Sequence, residues 1–184
     1  MDFERNYYNQ HIVLSRLRLP CGEIRHIKFT LYKENQDNYL QFGICKIVNL
    51  ENKEEAEIME KLKDCETGII KYCKHYISNQ IYIYMESCWS KGSLHEYLNK
   101  RSTFPKEKSK LKESFLIKAF KALIKGLEYI HSCSYIHSDI AAKNIFVTKS
   151  KQFKIGDFGG TVKTGDYMKL YSQHYVPLRY CKKF

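Results

Sequence analysis

A chain of 184 residues, 43% hydrophobic and 14% aromatic, is long enough to bury one core, so a single domain, at most divided into two lobes, is the expectation. No apolar run approaches the ~18–20 residues of a membrane span, and the polar start MDFERNYYNQ lacks the apolar centre of a secretory signal; the expected location is intracellular, cytoplasmic or nuclear, with no membrane partner. The net charge of +11 comes from dispersed lysines with no RNA-binding or zinc-finger signature beside them, which predicts a solvated surface rather than a nucleic-acid interface.

The seven cysteines include no C-x-x-C pair, a pattern of reduced thiols rather than a disulfide or zinc framework. In chain order, IRHIKFTLYKE and YLQFGICKIVNL alternate apolar and polar residues around the turn-rich ENQDN, predicting two strands. A charged helix follows in NKEEAEIMEKLK, with Ala56, Met59 and Leu62 at helical spacing. Two more strands, IIKYCKHYI and QIYIYMES, are joined at Ser78-Asn79. After SKGS the pattern turns helical: SLHEYLNK is short, and KEKSKLKES reads as a connector. A long helix over 112–131 then places Phe115, Leu116, Ala119, Phe120, Leu123, Ile124, Leu127 and Ile130 on one buried stripe. A hairpin of IFV and FKI closes the readable pattern.

The chemistry gathers at the hairpin's open end. His137-Ser138-Asp139 ends the loop after the long helix, Asn144 precedes IFV and Asp157 follows FKI. A hairpin brings its two open ends together, so Asn144 and Asp157 are expected to be neighbours, with Asp139 beside them. Two oxygen ligands completed by nucleotide phosphates suit Mg²⁺, which keeps waters and uses few protein groups. A third carboxylate set back from the metal could orient or deprotonate a hydroxyl.

These residues resemble the eukaryotic protein-kinase family. HSDIAAKN is similar to the catalytic loop H-R-D-L-x-x-x-N, and DFG stands intact at 157–159, in the order the family uses. The resemblance implies an α+β, bilobal fold with a β-rich N-lobe (1–88), a hinge at 86–92 and a helical C-lobe (93–184). It implies ATP and Mg²⁺ as cofactors and a protein substrate. Asp139 matches the catalytic base, Asn144 and Asp157 the Mg²⁺ ligands, and Lys143 a holder of the γ-phosphate. ICKI resembles the strand whose lysine meets the α/β-phosphates, here Lys46, and EEAEIMEKL the following helix, with Glu55 as the lysine's partner. IYIYMES resembles the strand entering the hinge, making Met85 the gatekeeper and the Glu86 to Cys88 backbone the adenine contact. His137 and Phe158 match apolar-spine positions. Lys143, four residues after Asp139, and YVPLRY resemble tyrosine-kinase features.

Four departures from the family pattern are visible. LPCGEIRHIKF offers Gly22 alone where G-x-G-x-x-G would stand. Only nine residues separate Lys46 from Glu55, short for a strand, a linker and the start of a helix. Ser138 replaces the loop arginine that would meet a phosphate in the following segment. LRYCKKF stands where A-P-E is expected, which predicts a truncated C-lobe, an exposed part of the long helix's stripe, and another kinase or protein as the partner that covers it. The leading expectation is an ATP-dependent protein kinase acting on a Ser, Thr or Tyr hydroxyl. A catalytically impaired pseudokinase or truncated decoy acting as a binding module is the alternative, and a piece of a longer gene product is a third.

Overall fold

The computed structural model describes residues 11–14, 27–33, 40–86, 92–103, 113–148 and 151–166. Gly22, Cys88 and the sequence beyond Asp166 lie outside the described residues.

The first half forms one antiparallel sheet of five strands in the order β1-β2-β3-β5-β4. Its strands are β1 (His11–Leu14), β2 (Ile27–Lys33), β3 (Leu40–Val48), β4 (Tyr72–Ile77) and β5 (Ile81–Glu86). Side chains alternate between the faces, as a strand's two-residue period requires. Cys45, Ile47 and Tyr84 pack in a small cluster on one face. Val48, Ile81, Ile83 and Met85 join the main core on the other. Lys46 therefore emerges on the core side, in register with Ile83.

Between β3 and β4 lies helix α1 (Lys53–Lys61), entered through a single 3-10 turn at Leu50–Asn52. That one turn is how a step of nine positions from Lys46 to Glu55 suffices. Glu55, Ala56, Ile58 and Met59 face inward, so a carboxylate rides on an otherwise apolar stripe.

The second half contains α2 (Leu94–Thr103), α3 (Glu113–Ser132) and four short strands, β6 (Tyr135–Ile136), β7 (Ile145–Val147), β8 (Phe153–Ile155) and β9 (Val162–Lys163). β7 and β8 form the expected hairpin, and β6 pairs with β9. Two-residue strands carry too little periodicity to be read from sequence, and the pattern gave no sign of β6, β9 or β1. The stripe on α3 is narrower than its apolar spacing suggests: Ala119, Leu123, Gly126 and Ile130 are buried. Phe120 (55% exposed) and Ile124 (53%) face outward with Ile117, so part of the stripe is exposed, as expected, and these two are not among its buried positions.

The two halves share one core. Met59, Ile70, Tyr72, Ile83 and Met85 pack in the same cluster as Leu123, Ile130, Val147, Phe153 and Phe158. The segment Gly68–Ile70 runs beside β8: Ile155 N–H donates to Gly68 O and Ile70 N–H to Ile155 O, both at 2.8 Å. On its other side this segment presses on α3. A Cβ added at Gly126 would lie 2.8 Å from the Gly68 carbonyl carbon and oxygen.

Helix propensity favours alanine over glycine in mid-helix by ~0.5–1 kcal/mol, whereas forcing atoms into a packed contact costs roughly 1–3 kcal/mol. Because the obstacle is backbone rather than a side chain that can swing away, the clash should win. Gly126→Ala is expected to lower the melting temperature; a rise would show that the Gly68 segment yields freely.

Candidate active site

Three segments distant in sequence meet at one ammonium group. The Lys46 Nζ lies 2.6 Å from Glu55 Oε1 and 2.7 Å from Asp157 Oδ1. β3 supplies the lysine, α1 the glutamate, and the loop after β8 the aspartate. Glu55 is 4% exposed and Asp157 47%, so the ammonium has one dry partner and one wet partner. Burial pulls the Lys46 pKa down, but the Glu55 and Asp157 carboxylates outweigh it and hold it above the ordinary lysine value. Burial pushes the Glu55 carboxyl up, with Lys46 opposing. These two directions conflict, since a raised Lys46 favours the ion pair and a raised Glu55 opposes it. The 2.6 Å contact favours the ionised pair, because a neutral carboxyl would forfeit the charge-assisted bond.

Asp139 sits in a second knot. The Asn144 side-chain amide donates to Asp139 O at 2.8 Å and to Asp139 Oδ2 at 2.9 Å, and Lys143 Nζ lies 3.1 Å from the same Oδ2. A 3-10 turn at Ala142–Asn144 makes this possible by returning the chain toward Asp139. The main chains of the two hairpin ends are joined by Gly156 N–H donating to Asn144 O at 2.9 Å.

His137 links this loop to the segment after β8. Its ring meets the Phe158 ring edge-on at 5.0 Å, and both are 1% exposed. Nδ1 accepts from Asp139 N–H at 3.4 Å, so Nε2 carries the proton and donates to Gly156 O at 3.1 Å. Burial lowers the His137 pKa, which keeps this single neutral tautomer. Ser138 and Asp157 both hold left-handed backbone, at φ 66° and 62°. Such strain in non-glycine residues concentrates at functional sites.

A cavity of about 340 Å³ opens between these groups, lined by Lys46, Glu55, Asp139, Asp157, Gly159 and Gly160, with Asn49 and Asn52 at the entry to α1. The structure thus brings Lys46, Glu55, Asp139 and Asp157 to one space. Asn144 stands behind Asp139 and is buried. Met85 is buried at the end of β5, opposite Ile44. Glu86 does not line this cavity; its carboxylate accepts from Lys71 N–H at 2.6 Å and pairs with Lys154, tying the end of β5 to β8. Sequence reasoning missed that anchor, and it missed Asn49 and Asn52. Neither asparagine caps its helix with its side chain, so the usual capping signal was no guide.

Among the described residues no three His, Cys, Asp or Glu side chains form a ready metal site. The donors the site offers are oxygens: the Asp157 carboxylate in the cavity, and the carbonyl of the buried Asn144 side chain, whose amide is turned to Asp139. Such a hard, incomplete donor set fits Mg²⁺ shared with phosphates.

Sheet, helix and hairpin, with a lysine–glutamate pair facing an H-x-D loop and a DFG turn, together form the arrangement of the protein-kinase class. The family model described as protein tyrosine and serine/threonine kinase matches residues 43–182, well over half of the chain. The chain belongs to the protein kinase family. It is 37% identical over 84 residues to the interferon-induced, double-stranded RNA-activated protein kinase of Rattus norvegicus, covering 46% of this chain and 15% of that protein. It is 25% identical over 162 residues to the mitosis inhibitor protein kinase SWE1 of Candida albicans, covering 88% and 13% respectively. To the tyrosine-protein kinase transmembrane receptor Ror of Drosophila melanogaster it is 27% identical over 134 residues, covering 70% and 18%. The matches therefore span less than a fifth of each relative. No helix among the described residues is long and apolar enough to cross a membrane.

The depressed His137 pKa has a pH consequence. Below the ordinary histidine value of 6.5 the unfolded chain takes up a proton that the folded chain refuses, so stability falls as pH drops through that window. His137→Phe keeps an aromatic ring against Phe158 and removes the titration. Melting temperatures measured from pH 7.5 to 5 should fall less steeply for the variant than for the parent; identical slopes would mean that His137 is not held neutral.

Proposed function

We propose that this protein is an ATP-dependent protein kinase that transfers the γ-phosphate to a Ser, Thr or Tyr hydroxyl of a protein substrate. The observation that carries the reading is the three-way contact of Lys46 with Glu55 and Asp157. A cation fixed by a buried carboxylate is positioned for phosphate oxygens, and the second, exposed carboxylate is placed for the metal that accompanies them.

On this reading Lys46 exchanges its contact with Asp157 for the α/β-phosphates while Glu55 holds it in place. Asp157 and Asn144 would hold Mg²⁺, which neutralises charge developing on the phosphates when bound. The incoming hydroxyl is oriented by the Asp139 carboxylate, which accepts its proton as the oxygen bonds to the γ-phosphorus and the bond to the β,γ-bridging oxygen breaks, ADP leaving with that electron pair. Lys143, beside Asp139 Oδ2, supplies positive charge where the transferring group gains negative charge. Met85 is assigned to the adenine end of the cleft; the backbone contact at Glu86 to Cys88 is implied by the family resemblance alone, Cys88 lying outside the described residues. Nothing covalent is required of the protein: positioning and charge do the chemistry.

A second reading is favoured by Ser138 and by the lone Gly22 in place of a glycine-rich loop. It is a pseudokinase, a binding module on a kinase scaffold that keeps the nucleotide site but not phosphotransfer.

Thermal protection by Mg-ATP and transfer of labelled phosphate to a peptide pool separate these readings. Asp157→Ala should abolish Mg-dependent protection. Asp139→Asn should retain most of it while transfer falls at least ~100-fold, the usual size of a general-base contribution. Protection without transfer in the parent protein selects the pseudokinase. Protection that survives Asp157→Ala contradicts both.

A further inference from the structure

A second hollow lies on the far side of the hairpin from this chemistry, between α3, the β7–β8 turn and the loop before β4. Its volume is about 320 Å³. Phe115 and Phe153, edge-to-face at 5.6 Å, and Ala119 form an apolar floor. The small side chains Ala119 and Ala122 on α3 leave the space open, where larger residues would fill it. The space is comparable to the cavity beside Lys46, so its lining rather than its size selects the occupant, and the apolar floor suits a large apolar side chain.

Its rim is basic. Lys118 on α3 and Lys151 at the hairpin turn are exposed, on two different elements. Among the described residues neither has an acidic partner within ion-pair distance. Lys154 is engaged by Glu86, and Glu66 is the one acid among the described lining residues. Cations on two elements around an apolar floor match a chain carrying negative charge on both flanks of an apolar anchor. A bare polyanion would leave the Phe115–Phe153 floor without a partner.

We propose that this groove is a docking site for a linear acidic peptide segment of a partner protein, with one large apolar side chain seated on Phe115 and Phe153 and flanking carboxylates on Lys118 and Lys151. It takes no part in phosphate chemistry, and it would serve the active kinase and the pseudokinase equally.

The probe is a fluorescein-labelled peptide with a central leucine between two pairs of aspartates, followed by anisotropy on the full chain. Saturable binding is expected, weakened about tenfold or more in Lys118→Glu/Lys151→Glu, since reversing both rim charges turns attraction into repulsion. Thr67→Trp, a bulky change at an exposed lining position, should weaken it comparably by occupying the hollow while leaving the charges intact. Both variants should melt as the parent does and keep Mg-ATP protection, because neither touches the cleft. A control peptide with alanine for leucine should bind at least about tenfold more weakly. Absence of saturable binding, equal binding of the alanine control, equal binding by the charge-reversed variant, or equal competition by an oligonucleotide would each overturn the proposal.

Discussion

The structure depends on where one ammonium group is held. Lys46 can meet both Glu55 and Asp157 only if β3, α1 and the loop after β8 are correctly placed together. A buried carboxylate such as Glu55 is costly without a cation, because removing one partner strands the other's charge in low dielectric. The pair therefore makes the position of α1 sensitive to the cleft. The exposed contact with Asp157 is weaker through solvent screening, and so it is the one that can be exchanged for a ligand without disturbing the fold.

Packing reinforces that placement. Met59 on α1 shares its core with Phe158 directly after Asp157, and Phe158 rests on His137, whose Nδ1 accepts from Asp139 N–H. A packed path thus runs from the helix that carries Glu55, which borders the Phe158–Gly160 turn, to the loop that carries Asp139. The Gly68–Gly126 approach and the Gly68–Ile70 hydrogen bonds to β8 fix the sheet against α3 from behind. Lys154 and Glu86 fasten the end of β5 to the hairpin. Each of these joins the first half of the chain to the second, around the cavity that Lys46, Asp139 and Asp157 line.

Much of this was legible in the sequence. The resemblance of ICKI and EEAEIMEKL to the family's strand and helix singled out Lys46 and Glu55, and the hairpin logic anticipated that the backbones of Asn144 and Gly156, next to Asp157, come together. The short Lys46–Glu55 spacing looked like a conflict because sequence gives no way to see that one 3-10 turn completes the connection. β1, β6 and β9 were illegible because strands of two to four residues acquire their structure from pairing rather than from period. That part of the α3 stripe is exposed was expected, but apolar spacing does not say which part: Phe120 and Ile124 share the spacing of Leu123 and face outward. The Lys154–Glu86 anchor and the groove beside Phe115 arise from long-range juxtaposition, which no local pattern encodes.

A double-mutant cycle on Mg-ATP affinity tests the central claim most directly, because coupling between two side chains appears as non-additivity. Lys46→Met, Glu55→Gln and the double variant would be compared with the parent by calorimetric titration at a temperature where all four are folded. If Glu55 acts by holding Lys46, each single change weakens binding and the double variant binds no worse than Lys46→Met alone. Losses that simply add would contradict the account, because Glu55 would then act on the nucleotide by a route that does not pass through the lysine.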